Sequence, residues 1–316
     1  RGQAGRPDLP VVRERVPRPA PGAVLPGEDF PRLAADPAGR HVLREGGLHP
    51  SHYVGAEIPI LGQNAHWDPR GEFFVAEGDE SDGTIRCFHP EHILVLNIEA
   101  EHLDFYEGLA EIEAVFDQLI GQTSGKVFFC ADDAVATRVC QSDRSLSYGF
   151  GENADYRAQD VSLEDFASVF SVFRQGQKLG EVRLNVPGQH NVQNAVGVIA
   201  LATELGIPFE KIAKALAKFQ HARRRFEIKY ASDRFLLVDD YGHHPSEIRA
   251  TLSTATSCGP SPPAGSWERT ACAPRCGAGP GPGPSSSTRR RSKPPSQQPK
   301  VIDNQVAATG RRRAFH

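Results

Sequence analysis

His92-Ile93-Leu94-Val95-Leu96-Asn97-Ile98 is an almost unbroken apolar run. A strand covered on both faces of a parallel sheet reads this way, whereas a half-exposed strand would alternate. Its continuation decides the fold. Residues 108–120 set Leu109, Ile112, Val115, Phe116 and Leu119 on one helical face. Residues 126–130 form a second apolar strand, and Asp132-Asp133 opens a further helix with acids where the helix dipole favours them. Strand, helix, strand, helix predicts an α/β domain with a mostly parallel sheet.

Upstream, residues 72–77 make an apolar strand that ends in acids, 52–55 a short strand, and 41–47 a helix end stopped by glycine. Downstream, residues 146–150, 156–161, 166–174 and 181–186 read as strands, either an antiparallel edge or a small sheet on the same domain. Residues 190–205 form a strong helix closed by Gly206, and 209–219 a second helix. Residues 226–230 and 235–239 are strands, and a helix runs from Pro245 to about Thr254, with proline in its first turn.

Composition separates this middle from its flanks. The chain has 316 residues and a net charge of −3. Residues 1–40 hold 8 Pro, 7 Arg and 5 acids; residues 257–316 hold 10 Pro, 10 Lys+Arg, 2 acids and no Leu. The flanks carry +2 and +8, which leaves −13 on residues 41–256. Only the middle shows periodic apolar faces, so 1–40 is expected to be irregular and 257–316 a disordered Pro/Arg/Ser-rich tail. A chain with no Met reads as a fragment. No apolar run reaches the roughly 18 residues of a membrane span, and no signal-peptide core opens the chain. The six Cys include no CxxC pair, and Cys272/Cys276 has no matching His pair, so they read as scattered reduced thiols.

Three groups of residues can carry chemistry. Glu77-Gly78-Asp79-Glu80-Ser81-Asp82 crowds acids at the C-terminal end of a strand, the ligand-binding edge of α/β sheets. A hard cation such as Mg²⁺ would relieve their repulsion; a solvated acidic loop is the plainer alternative. Asn97-Ile98-Glu99-Ala100-Glu101-His102-Leu103-Asp104 follows the next strand, and His102 suits a metal ligand, a partner of Glu77, or a surface histidine beside acids. The third group is dispersed. Asn191 and Asn194 lie at i, i+3 where a helix begins and can bond a heterocycle edge or cap the helix. Arg223-Arg224-Arg225 can clamp phosphate or be a charged loop. Val238-Asp239-Asp240-Tyr241-Gly242-His243-His244-Pro245 ends a strand and opens a helix.

In this order the motifs resemble the Mur ligases. The match lies in Val75-Ala76-Glu77 with Glu80-Ser81-Asp82, Asn97-Ile98-Glu99 with His102-Leu103-Asp104 and Tyr106, Gly188 with His190-Asn191 and Asn194-Ala195, Arg224-Arg225-Phe226-Glu227, and the run from Asp239 to Pro245. That last run resembles the branch that adds L-alanine to UDP-N-acetylmuramate. The resemblance implies a central ATPase-type domain over 41–232, the start of a C-terminal ligase domain at 233–256, and ATP-dependent amide formation in peptidoglycan synthesis. It implies Mg²⁺ on Glu77 and His102, the adenine end of ATP on Asn191 and Asn194, the terminal phosphates on Arg225 and the ribose on Asp240. His243 and His244 would stand near the reacting carboxylate or the incoming alanine. UDP-N-acetylmuramate and L-alanine would be the substrates in a cytoplasmic enzyme with no nucleic-acid or membrane partner and with its oligomeric state open. The rivals are a non-catalytic nucleotide-binding remnant and a ligase of the folylpolyglutamate synthetase kind.

Two departures stand against the resemblance. The family carries a Gly-x-His-Gly-Lys-Thr-Thr phosphate loop before the helix that ends near Arg44. Here Leu33-Ala34-Ala35-Asp36-Pro37-Ala38-Gly39-Arg40 offers no Lys, no Thr and no glycine-rich turn. Gly121-Gln122-Thr123-Ser124-Gly125-Lys126-Val127 is a near miss that precedes a strand rather than a helix. After Thr256 the expected ligase domain gives way to the Pro/Arg/Ser tail, and the N-terminal UDP-binding domain is not seen. Reading-frame slips at both ends would produce this pattern, and the chain is expected to be inactive as a ligase.

Overall fold

The computed structural model describes residues 23–26, 37–54, 59–71, 73–78, 80–164, 166–220, 222–232, 235–258 and 307–309. In chain order the elements are β1 (Ala23–Pro26), α1 (Pro37–Gly46), β2 (Ser51–Tyr53), β3 (Ala65–His66), β4 (Phe74–Ala76), β5 (His92–Val95), α2 (Leu109–Gln122), β6 (Val127–Cys130), α3 (Ala134–Val139) and β7 (Ser145–Gly149). They continue with β8 (Tyr156–Glu164), β9 (Ala167–Arg174), β10 (Gln177–Leu184), α4 (Gln189–Glu204), α5 (Phe209–Leu216), β11 (Glu227–Ala231), β12 (Phe235–Asp239), α6 (Pro245–Cys258) and β13 (Ala307–Thr309). They divide into two compact units. One holds the elements through α5 together with α6; the other holds β11 to β13.

The first unit is built on a ten-stranded sheet in the order β10-β9-β8-β7-β6-β5-β1-β4-β2-β3. From β8 through β2 neighbouring strands are parallel. The β8–β9–β10 end and the β2–β3 end are antiparallel. The strands expected over residues 156–186 are thus an edge of the main sheet and not a separate one. β10 closes that edge with its ladder irregular between Lys178 and Gly180. All four residues of β6 are buried, which requires cover on both faces of the sheet.

α4 is the central helix, with buried residues from Asn191 to Ala202. Gly197 lets it lie against the sheet: a Cβ there would sit 2.8 Å from Tyr148 Cζ and 2.9 Å from Leu94 Cδ1. The helix stops at Gly206, whose φ of 82° permits the Gly206→Thr203 and Ile207→Ala202 backbone bonds, at 2.9 and 3.0 Å, of a Schellman ending.

Two strands depart from the expectation of irregular flanks. β1 lies inside residues 1–40 and sits between β4 and β5. β13 lies in the tail and pairs antiparallel with β12. Residues 37–40 also depart from it as the first turn of α1, and 257–258 as the end of α6; the remainder of both segments, with residues 33–36 of the phosphate-loop position, lies outside the described residues. In the second unit β11 pairs antiparallel with β12, so a ladder crosses the 232/233 boundary drawn from the sequence. The cysteines among the described residues, Cys87, Cys130, Cys140 and Cys258, are free thiols.

Candidate functional site

The C-terminal ends of the parallel strands of the first unit gather carboxylates: Glu77 follows β4, Glu99 and Glu101 follow β5, and Asp132 and Asp133 follow β6. Three side chains from two of these loops converge. The ligand atoms of Glu80, Glu101 and His102 all lie within 4.8 Å of one another. Glu80 is 5% exposed. The loop after β5 is shaped for this meeting. His102 takes a left-handed backbone at φ 52°, and its carbonyl accepts the amides of Phe105 and Tyr106 at 2.8 and 2.9 Å. Tyr106, buried, donates its hydroxyl to the Glu80 carbonyl. Burial pushes its phenol above the ordinary value, so it remains a donor.

His244, at the start of α6, extends the cluster. Its Nδ1 lies 3.0 Å from Glu99 Oε2, 3.4 Å from Glu101 Oε1 and 2.7 Å from Ser246 Oγ. Its own amide donates to Glu247 Oε2 at 3.0 Å, half of a capping box that fixes where α6 begins. Asp132 accepts the amides of Phe150 and Gly151 and the Gln193 amide nitrogen, at 2.8, 3.3 and 2.8 Å. It so joins the loops after β6 and β7 to α4. Asp133 caps α3 through the Ala136 amide at 2.6 Å, and burial raises its carboxyl above the ordinary value.

Two carboxylates and an imidazole can hold a divalent cation that keeps other positions for water or phosphate oxygens. His102 belongs to this group; Glu77 does not, among the described residues. The two were expected to follow neighbouring strands. β1 lies between β4 and β5, which sets those strands about two 4.8 Å spacings apart. Glu77 itself is half-buried, with its amide on the Tyr53 carbonyl at 3.0 Å. Glu80 and Glu101 stand in the acidic runs but were not singled out. The signal for Glu101 is its place beside His102, and that for Glu80 is the two-residue loop between it and Glu77.

The other candidates fall in both units. Asn191 and Asn194 are 5% and 3% exposed in the first turns of α4, and the Asn191 amide donates to the Pro187 carbonyl at 2.6 Å. This bond ties the first turn of α4 to the residue before its N-cap Gly188, which has no side-chain cap bond. In the second unit Asp240 is 8% exposed; its Oδ2 accepts the Phe226 amide at 2.8 Å and its Oδ1 the Gly242 amide at 2.7 Å. Each oxygen keeps a lone pair for a hydroxyl donor. Arg225 lies with its guanidinium 5.5 Å from the centre of the Tyr241 ring, and His243 meets that ring edge-on at 5.4 Å.

The Mur ligase middle domain matches residues 64–202. The chain is 41% identical over 220 residues to UDP-N-acetylmuramate–L-alanine ligase of Syntrophotalea carbinolica and 42% identical over 218 residues to that of a Geobacter species. The chain belongs to the Mur ligase family. These matches take in 68% of this chain and 48% and 47% of the relatives, so the chain spans about half their length. Among solved structures it is similar to UDP-N-acetylmuramate-alanine ligase from Thermotoga maritima, with a TM-score of 0.65 and 27% identity over 75% of this chain and 54% of that one. The α/β fold with a mostly parallel sheet and a small antiparallel one is that of this Mur ligase. No helix among the described residues is long and apolar enough to cross a membrane.

Proposed function

We propose that this chain is the nucleotide- and metal-holding part of a cytoplasmic ligase that joins L-alanine to UDP-N-acetylmuramate with ATP and Mg²⁺. The observation that carries the reading is the Glu80–Glu101–His102 group at the C-terminal edge of a Mur ligase middle domain. When bound, Mg²⁺ would screen the triphosphate charge. Glu80, Glu101 and His102 would hold it, with Glu77 next in the same loop, and His244 would keep Glu99 and Glu101 turned toward the edge. Asn194 and the start of α4 would face the adenine end, Asp240 the ribose, and Arg225 the terminal phosphates. His243 would stand near the incoming alanine.

Leu33–Arg40 supplies no lysine or glycine-rich turn for the phosphates. Loss of such donors costs on the order of 10²-fold or more each in rate, so this chain alone should bind Mg-ATP weakly and not ligate. Calorimetric titration with ATP, with and without Mg²⁺, tests the binding. We expect Mg²⁺-dependent affinity that Glu101→Gln and Arg225→Ala both weaken. Absence of binding at millimolar ATP would end the reading. Phosphate release from Mg-ATP, UDP-N-acetylmuramate and L-alanine tests the second part, and turnover near 1–10³ per second, roughly the ordinary enzyme range, would contradict it. A ligase of the folylpolyglutamate kind is disfavoured because the relatives near 40% identity are named for L-alanine.

A further inference from the structure

The backbone on both sides of Arg225 is strained. Arg224 has φ 60° and Phe226 φ 44°, the left-handed region that side-chain-bearing residues seldom enter. Such outliers persist where surrounding contacts over-determine them, and they direct attention to what they present. Four bonds tie this turn down. Asp240 takes the amide of Phe226 on one oxygen and that of Gly242 on the other, at 2.8 and 2.7 Å. The Tyr241 amide donates to the Arg224 carbonyl at 2.7 Å, and the Arg224 amide to Glu227 Oε2 at 3.0 Å. Asp240 is buried, so its charge is spent on two amides rather than on water.

The bonds have a result beyond the backbone. They bring the Tyr241 ring, 44% exposed, within 5.4 Å of the Arg224 guanidinium carbon and 5.5 Å of that of Arg225. A ring face attracts each cation, while the cations repel each other. Asp239 Oδ1 lies 3.8 Å from Arg224 Nε and offsets part of that repulsion. His243 closes the ring's edge at 5.4 Å.

We propose that Asp240 and Tyr241 are positioning residues: Asp240 fixes the strained turn and Tyr241 the direction of the Arg225 guanidinium, so that it is pre-aimed at a terminal phosphate. This deepens the functional reading and rests on it. A planar guanidinium bonds phosphate in two parallel contacts, so its direction matters as much as its charge. The ribose contact of Asp240 would act on every adenosine nucleotide alike and not on a ribose-free polyphosphate.

The test measures affinity for ATP, AMP and inorganic tripolyphosphate in the full chain and in Tyr241→Leu, Tyr241→Phe and Asp240→Asn. Tyr241→Leu should weaken ATP and tripolyphosphate about 2–5-fold, the span of an exposed cation–π contact, and leave AMP unchanged; Tyr241→Phe should restore both. Asp240→Asn should lower the affinity for tripolyphosphate, which has no ribose, as well as that for ATP. Equal losses for ATP and AMP or no loss with Tyr241→Leu, or an unchanged tripolyphosphate affinity in Asp240→Asn, would overturn the proposal, as would a wild-type chain that binds no tripolyphosphate. Tripolyphosphate binding without ATP or AMP binding would overturn the functional reading and leave the positioning of Arg225 standing. Amide exchange at Phe226 and Gly242 supplies the folding control: wild-type protection that persists in Asp240→Ala would also overturn it.

Discussion

Glu204→Gln should weaken the first unit through a single acceptor shared by three donors. Glu204 ends α4 and accepts from Tyr156 Oη at 2.7 Å, Arg174 Nη2 at 2.5 Å and Lys126 Nζ. It so ties the helix to β6, β8 and β9. Its side chain is 8% exposed, whereas those of Lys126 and Arg174 are 41% and 45% exposed and can rehydrate. Each of those ion pairs is therefore worth about 0.2–1 kcal/mol. Tyr156 is fully buried and exchanges a charge-assisted bond for a neutral one, a difference of about 1 kcal/mol. The sum is about 1.5–3 kcal/mol, or a fall of roughly 3–12 °C in Tm for a unit of this size. Burial raises the Glu204 carboxyl, but Lys126, Tyr156 and Arg174 together outweigh it and hold it below its ordinary 4.5. A lowered carboxyl stabilises fully above the unfolded value and ceases to do so as pH falls through the folded one. Urea unfolding of both proteins from pH 7 to pH 3 should show the gap at pH 7 closing below about pH 4.5. A gap under about 0.5 kcal/mol at pH 7, or one that does not close in acid, would refute the reasoning.

Arg40 is 5% exposed with Nε and Nη1 lacking hydrogen-bond partners among the described residues, and burial, with Arg44 beside it, pulls its pKa down to about 10; Arg40→Leu should raise stability by about 1–3 kcal/mol in urea, and a loss would contradict this. His52 is 1% exposed and bonds the Gln63 carbonyl through Nε2. Burial lowers its pKa below 6.5, the Gln63 bond partly opposes this, and Arg40, His66 and Arg44 add to it. Its contribution is then complete above pH 6.5 and lost as pH falls, so the urea midpoint should decline from pH 7.5 to 5.5, with a shallower slope in His52→Gln; parallel slopes would exclude it. Asp133→Ala removes the α3 cap and should cost about 1 kcal/mol, with faster amide exchange at Ala136 as its local mark.

The sequence carried the α/β alternation because β5 and β6 are unbroken apolar runs while α2 between them sets its apolar residues on one helical face. It did not carry β1, whose Ala23–Pro26 lies among prolines and arginines and shows no period of its own. That omission also set β4 directly beside β5, whereas β1 lies between them. α6 runs to Cys258, past the expected stop near Thr254; within it Thr254, Thr256 and Ser257 turn their hydroxyls to carbonyls four residues back, at 2.8, 2.7 and 3.0 Å, so these side chains do not compete for the helix amides. A Ser/Thr-rich run that reads as loop thus stays helical. At the site, His102 was legible because a histidine among acids after a buried strand is conspicuous. Asp240 as a brace was not, since its partner Phe226 is fourteen residues away and lies on the far side of a hairpin.

Among the described residues no strand pairs with the outer side of β10, the kind of edge on which chains join to one another and aggregate. Its outward positions are Lys178, Glu181 and Arg183, all exposed, while Val182 and Leu184 turn inward. The irregularity between Lys178 and Gly180 breaks the flatness that an incoming strand needs. The solubility of the folded chain is therefore guarded locally, by three charges and one misaligned residue, and any redesign that straightens this strand or neutralises its outer row would open a growth surface for fibrils.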